Sequence, residues 1–277
     1  MLIRRAFSSR ALAALALYAV ILAIPGTTRA QDDSVGPYPW LLYAPYEPHR
    51  PLPLLTRRDG FTALGFVLGT IALSTQDANL ARVSQSPDLQ NSEPVRRTSD
   101  VFRVMGDPGA VYLSMGLFAA GHVAAKPGIT RLGLRATEAI ITAGAMTELL
   151  KLGFGRARPN VIAPGEEGPD QDVFRFGRGQ RGYASLPSGH TTAAFAAASA
   201  ITAELHDTHP DVARVAGPVL YGSAVLVGLS RLYTNDHWGS DVLLGAAIGT
   251  FFGRKVVRFH HSRPGGWLDT IMIPTMA

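Results

Sequence analysis

The sequence predicts an all-α protein, a helical bundle of about six core helices with its functional site at one end. Six apolar segments recur along the chain, at roughly 60–76, 108–125, 132–152, 189–205, 212–229 and 239–258. None alternates apolar and polar residues over any length, as a half-buried strand would. The composition is 47% hydrophobic and only 17% charged, with 29 glycines among 277 residues. That balance suits helices packed closely on one another, or a membrane environment.

Residues 1–30 come first. Arg4, Arg5 and Arg10 form a basic region, and 11–24 is an apolar run too short to span a bilayer comfortably. Pro25-Gly26 breaks the run, and Thr28-Arg29-Ala30 offers the small residues a signal peptidase needs. This reads as a secretory signal cleaved after Ala30, with an uncleaved anchor helix as the alternative. It places the mature chain outside the cytoplasm, periplasmic or membrane-associated. Residues 31–58 carry Pro37, Pro39, Pro45, Pro48, Pro51 and Pro53, a density that prevents regular structure and predicts an extended leader. The helical domain then covers 59–260, and 261–277 is a tail.

Within the domain, Asp59 precedes the first segment, and Asp107-Pro108 opens the second as a cap with a proline at the first helical position. Ser188 or Pro187 opens the fourth. The polar gap at 77–107 holds a short helix near 99–105. The gap at 160–186 is long for a link between helices and carries Glu166, Glu167, Asp170 and Asp172, then Arg175, Arg178 and Arg181. It reads as a functional loop or as a solvated excursion.

The net charge of +5 belongs to the N-terminus. Removing Arg4, Arg5, Arg10 and Arg29 from the 26 basic residues leaves 22 against 21 acidic ones. No general case for nucleic-acid binding follows. There are no cysteines, so neither disulfides nor thiol chemistry is available.

Three short stretches hold the side chains that phosphate chemistry uses: 151–159 (KLGFGRARP), 187–190 (PSGH) and 230–241 (SRLYTNDHWGSD). A phosphoryl-transfer transition state spreads negative charge over three oxygens, so positioning and electrostatics dominate its catalysis. Arg158 and Arg231 can each grip two oxygens, and Lys151 adds a point charge. Gly153, Gly155 and Pro159 predict that the helix frays after Lys151 and leaves Arg158 on a loop. Ser188 and Gly189 open a helix whose hydroxyl and N–H groups can face an anion, with His190 in the first turn. His237 and Asp241 are four apart, so the carboxylate can orient the imidazole and free its other nitrogen as a nucleophile. Asp236 is a rival partner for His237, but its position one residue earlier points it elsewhere. Plainer readings exist for each stretch taken singly: a basic helix end, an N-cap, and a capped helix with a surface ion pair.

In this order and spacing, the three stretches together resemble the superfamily of type 2 phosphatidic acid phosphatases and vanadium haloperoxidases. Every motif position is met. The resemblance implies a helical bundle and a metal-free, two-step displacement. It implies that His237 is the nucleophile forming a phosphohistidine and that Asp241 orients it. His190 would protonate the leaving alcohol and later activate water. Lys151, Arg158, Ser188, Gly189 and Arg231 would form the phosphate cradle. No metal or cofactor is implied, vanadate serving only as a phosphate mimic or in the haloperoxidase alternative. The implied partner is a phosphorylated lipid or a small phosphoester.

Two other functions are weighed beside a phosphatase: a vanadate-dependent haloperoxidase, and a non-catalytic exported anion-binding protein. Peripheral or integral membrane association is open. Arg135, Glu138 and Glu148 are costly in lipid. Six spans would also put Lys151 inside the cell and Lys126, Arg131, Arg254, Lys255 and Arg258 outside, against the positive-inside rule. A wholly exported, soluble or peripheral domain avoids that conflict.

Overall fold

An alanine-rich helix with almost no outward face organises the bundle. In the computed structural model, residues 55–162, 169–177, 182–263 and 266–273 are described. The expected signal, most of the leader, Glu166, Glu167, Arg178 and Arg181 lie outside the described residues. The helices are α1 (Arg57–Ser74), α2 (Asp77–Ser84), α3 (Pro87–Gln90), α4 (Glu93–Gly106), α5 (Gly109–Val123), α6 (Pro127–Phe154), α7 (Gly189–Thr208), α8 (Pro210–Tyr233), α9 (Gly239–His261) and α10 (Trp267–Met272). Among the described residues no strand accompanies them, apart from one isolated bridge between Arg156 and Phe174. All six expected segments form helices, within a few residues at each end.

The central helix is α7, packed against α6, α8 and α9. Ala193, Ala194, Ala196, Ala197, Ala198 and Ala200 are all buried. Their short side chains let neighbouring backbones come close. The closest neighbour is α9, whose Gly245, Gly249 and Gly253 recur every four residues and so share one face. A Cβ at these positions would lie 2.6 Å from the Ser188 carbonyl oxygen, 2.4 Å from that of Thr192 and 2.7 Å from that of Ala196. No side chain fits in that seam. The contact is backbone on backbone, as in small-residue helix pairs generally. Ser199 Oγ, which donates to the Thr250 carbonyl at 3.0 Å, fixes the register of the seam.

On the other side of α7, Ala194 and Ala198 meet Ala224 and Val227 of α8, and Phe102 and Met105 of α4 pack against this group. α4 is longer than the short helix expected near 99–105. It is strongly amphipathic, and its apolar face is read only once α7 and α8 supply a surface. The rest of that polar gap also folds, into α2 and α3. Their few apolar residues give no periodic signal.

Two cap assignments change. Asp59 is not the cap of α1. Thr56 is, and Asp59 sits at the third helical position, accepting from the Thr56 N–H at 2.7 Å and from Lys255 Nζ at 2.6 Å. Asp107-Pro108 does not open α5 with an N1 proline. Its peptide bond is cis, Asp107 closes α4, and Pro108 is the residue before the first turn of α5. At the end of the bundle away from the α7 start, the buried Arg135 pairs with Asp269 of α10 at 2.5 Å, and Glu204 accepts from His261 at 2.9 Å.

The seam predicts an asymmetry between glycines. Gly249→Ala should cost about 1–3 kcal/mol of stability through backbone overlap with α7. Gly222→Ala, with nothing within 4 Å of its added Cβ, should be neutral or gain up to about 1 kcal/mol from helix propensity. Thermal unfolding of the two variants measures the difference, and equal melting points would reject the packing described.

Candidate active site

The three motif stretches converge because each lies at a helix end on the same side of the bundle. α6 stops at Phe154, where Gly155 takes a left-handed φ of 58° and donates its N–H to the Lys151 carbonyl at 2.9 Å. A Cβ there would meet the Arg175 carbonyl oxygen at 2.2 Å, so the turn tolerates only glycine. The turn keeps Lys151 in the last helical turn and puts Arg158 on the loop, as the glycines and proline predict. Arg158 N–H then bonds the Gly182 carbonyl at 2.9 Å. Arg231 ends α8, Gly189 and His190 begin α7, and His237 precedes α9.

Lys151, Arg158, Gly189, His190, Arg231 and His237 line one cavity of about 270 Å³, with Asp107, Val111, Ile140, Gly144, Thr147, Glu148 and Ala193 completing the wall. Ser188 and Asp241 are fully buried behind it. Ser188 differs from the sequence expectation. Its Oγ accepts from Thr191 Oγ1 at 2.9 Å, one turn along α7, and its N–H donates to the Asp241 carbonyl at 3.0 Å. It joins α7 to α9, and its hydroxyl is not part of the wall.

His237 Nδ1 lies 2.8 Å from the Ser185 carbonyl oxygen. A carbonyl only accepts, so Nδ1 carries the proton and Nε2 keeps the lone pair. The nearer Asp241 oxygen is 3.7 Å from Nδ1, too long for a direct hydrogen bond. The tautomer is therefore fixed first by the Ser185 carbonyl, and Asp241 supplies negative charge beside the ring. Burial pushes the His237 imidazole below its ordinary range, and Asp241 opposes that. Burial works against ionisation of Asp241, but contacts from His237, Arg156 and Ser185 outweigh it and hold the carboxyl low. His190 is pushed down to about 3, by burial first and then by the positive charge of Arg231. It is neutral at pH 7.

Two residues that sequence reasoning passed over hold this site together. Arg156 reads as part of a basic helix end, yet it is 2% exposed. It donates to the Gln171 carbonyl at 2.9 Å, Ser240 Oγ at 2.7 Å, Asp241 Oδ1 at 2.8 Å and Asp77 Oδ2 at 2.8 Å. Its guanidinium also stacks on the rings of Phe174 and Trp238. Asp236 does point away from His237, but into the cradle. It pairs with Arg231 Nη2, and its other oxygen lies 3.8 Å from Arg158 Nη1. A signal existed in the second arginine of Gly155-Arg156-Ala157-Arg158, since a surface basic turn has no need of so short a spacing. Nothing local marks Asp77, which reaches the site only through folding. The buried Arg231 Nε has no hydrogen-bond partner among the described residues, as expected of a donor held for an anion.

The comparisons with known proteins follow the same lines. Residues 132–264, which contain all three stretches, match the family model of the PAP2 superfamily. The match covers just under half of the chain. The chain is 37% identical over 110 residues to a lipid A 1-phosphatase of Porphyromonas gingivalis, covering 40% of this chain and 20% of that protein. It is 29% identical over 175 residues to a lipid A 1-phosphatase of Rhizobium johnstonii, covering 57% of this chain and 65% of that one. It is 31% identical over 150 residues to lipid phosphate phosphatase 1 of Arabidopsis thaliana, covering 47% and 45%. The chain thus spans between a fifth and just under two thirds of the length of these relatives. The crystal structure of a transmembrane PAP2-type phosphatidylglycerolphosphate phosphatase from Bacillus subtilis superposes with a TM-score of 0.56 at 20% identity, over 76% of this chain and all of that one. It shares the PAP2 fold. Asp77 and the whole of α1 to α5 lie outside the matched PAP2 residues.

The two histidines of the cavity set a pH dependence. An unfolded histidine titrates near 6.5, and His190 in the fold near 3. Between these values the unfolded chain binds a proton that the folded one refuses. Stability is therefore full above about pH 6.5 and falls as pH drops toward about 3. His237 is displaced the same way and adds to the loss. Denaturant titrations at about pH 7.5 and pH 4.5 should show the lower midpoint in acid, with a smaller difference in His190→Gln. A difference unchanged by the substitution would reject a buried, depressed His190.

Proposed function

We propose that this chain is a metal-independent phosphatase that hydrolyses phosphate monoesters or pyrophosphates, those of a lipid first, through a phosphohistidine intermediate. The observation that carries the reading is the His237 tautomer. With Nδ1–H committed to the Ser185 carbonyl, Nε2 has a lone pair in a cavity lined by Lys151, Arg158 and Arg231. The three cations suit the equatorial oxygens of a transferring phosphoryl group.

In the first step Nε2 attacks phosphorus, the bond to the leaving oxygen breaks, and His190 gives that oxygen a proton. In the second, water attacks phosphorus while His190 takes the water's proton, and the phosphorus–nitrogen bond breaks with its electron pair returning to His237 Nε2. His190 is held neutral by burial first and by its cationic neighbours, Arg231 and Lys151, second. A phosphate dianion would reverse that field and raise its affinity for a proton. Asp241, close to the His237 ring, offsets the positive charge the ring gains on phosphorylation.

A lipid substrate is supported by the outside of the domain and by the printed names of the relatives. None of the 18 residues of α1 is buried. Phe61, Leu64, Leu68 and Ile71 of α1, Ile141, Leu149 and Leu152 of α6, and Val215 and Leu229 of α8 are all more than half exposed. Apolar surface of this extent marks contact with lipid or a partner. Among the described helices, α8 is long and apolar enough to cross a membrane by length and composition. These surfaces favour a membrane-associated domain over one wholly in water. With the signal-like N-terminus, they support a site outside the cytoplasm. Val111, Ile140 and Ala193 give the cavity an apolar flank beside its cations.

The test is phosphate release by the purified chain across lipid phosphates and soluble esters. His237→Ala should abolish release, Arg231→Lys should lower kcat/KM by about 10²-fold or more, and vanadate should inhibit. Full activity in His237→Ala would refute the mechanism. Halide oxidation with vanadate and peroxide, in place of phosphate release, would point to a haloperoxidase.

A further inference from the structure

We propose that Asp77, on the short helix α2, is a positioning residue that shares Arg156 with Asp241 and so keeps a net negative charge beside His237. This rests on the phosphohistidine reading above and adds to it a residue outside the matched PAP2 segment.

The geometry is a buried relay. Asp77, Arg156 and Asp241 are at most 2% exposed. Arg156 reaches one oxygen of each carboxylate at the same 2.8 Å, through different nitrogens. Asp77 also accepts from the Ser240 N–H at 2.9 Å and from Ser240 Oγ. Among the described residues, the hydrogen bonds to Asp77 are all accepted by its two oxygens, from Arg156 and Ser240. Arg156 thus serves two anions with one positive charge. Removed from water, such charges interact strongly and are poorly screened. Were Asp241 alone with Arg156, the pair would be neutral and would do little for a cationic ring. With Asp77 present, the three groups together carry one surplus negative charge, 3.7 Å from His237 Nδ1 at its nearest oxygen.

Two of the three, Arg156 and Asp241, also place the ring through Ser185. Ser185 accepts from His237 through its carbonyl, donates its N–H to the Arg156 carbonyl at 3.1 Å, and donates its hydroxyl to Asp241. The other charged or titratable groups acting on His237 are Arg158, Arg231 and His190, all on the cavity side. Asp77 is reached only from behind, so its charge can be changed without touching the cradle.

The experiment compares Asp77→Asn with Ser240→Ala in the full chain. Ser240→Ala removes hydroxyl bonds to both Asp77 and Arg156 but no charge. His237 titration is followed by ring NMR, stability by thermal unfolding, and turnover by phosphate release from a lipid phosphate. In Asp77→Asn the His237 midpoint should move further down, and kcat should fall about tenfold, the rate equivalent of one pKa unit, with KM within about twofold. Ser240→Ala should lose stability with the His237 midpoint unmoved. An unchanged midpoint in Asp77→Asn, or the same shift in Ser240→Ala, would overturn the proposal. Should Asp77→Asn fail to fold, Asp77→Ser, with room for water, carries the same test. A wild-type chain that releases no phosphate would refute the phosphatase reading, while the NMR comparison would still decide the role of Asp77.

Discussion

The backbone contact between α7 and α9 is the constraint on which the site depends. Gly245 lies against the Ser188 carbonyl, and the Ser188 N–H reaches back to the Asp241 carbonyl. These two contacts join the first turn of α7 to the first turn of α9. That junction brings His190 and His237 to one cavity, although 46 residues separate them in the chain. A side chain in the seam would push the two helix starts apart, and with them the two histidines. The small residues therefore shape the cavity as well as the packing.

Behind the seam sits a second layer made of charge. A buried arginine and two buried carboxylates are costly to desolvate, and apolar replacements often serve stability better. Here they have a structural task. Arg156 gathers α2, the loop at 171–174, the 185 turn and the start of α9 into one rigid mount for His237 and Asp241. The front of the site is arranged on the opposite plan. Arg158 and Arg231 face the cavity with only Asp236 between them, and Lys151 leans on Glu148. The cations facing the cavity share few carboxylates, while Arg156 behind it is fully engaged.

Much of this was legible in the sequence. The six apolar segments became helices, and the glycines after Lys151 placed Arg158 on a loop. The order of the three stretches along successive helices put them on one side. Less legible was any feature whose signal is shared between distant segments. α4 has an apolar face, but it is interpretable only against α7 and α8. The caps at Asp59 and Asp107 were misread because a carboxylate near a helix start can serve at the cap or one turn inside it. Thr56, three residues upstream, settled the first, and the backbone path through Pro108 the second. Asp236 was weighed only against His237, because chain proximity gives no hint that its carboxylate folds toward the two arginines.

The sequence by itself determined the class of fold and marked out the basic residues and the two histidines that line the cavity. Helix periodicity, end signals and ordered motifs are local, and each can be read in a window of a few turns. Tertiary structure alone decided which groups surround those residues. It replaced a direct Asp241–His237 hydrogen bond with a Ser185 carbonyl that fixes the tautomer. It moved the Ser188 hydroxyl out of the cavity wall, and it brought Asp77 to Arg156 across 79 positions. Such long-range pairings carry no periodicity and no spacing, since they are set by how helices cross and by where a buried charge can find a partner.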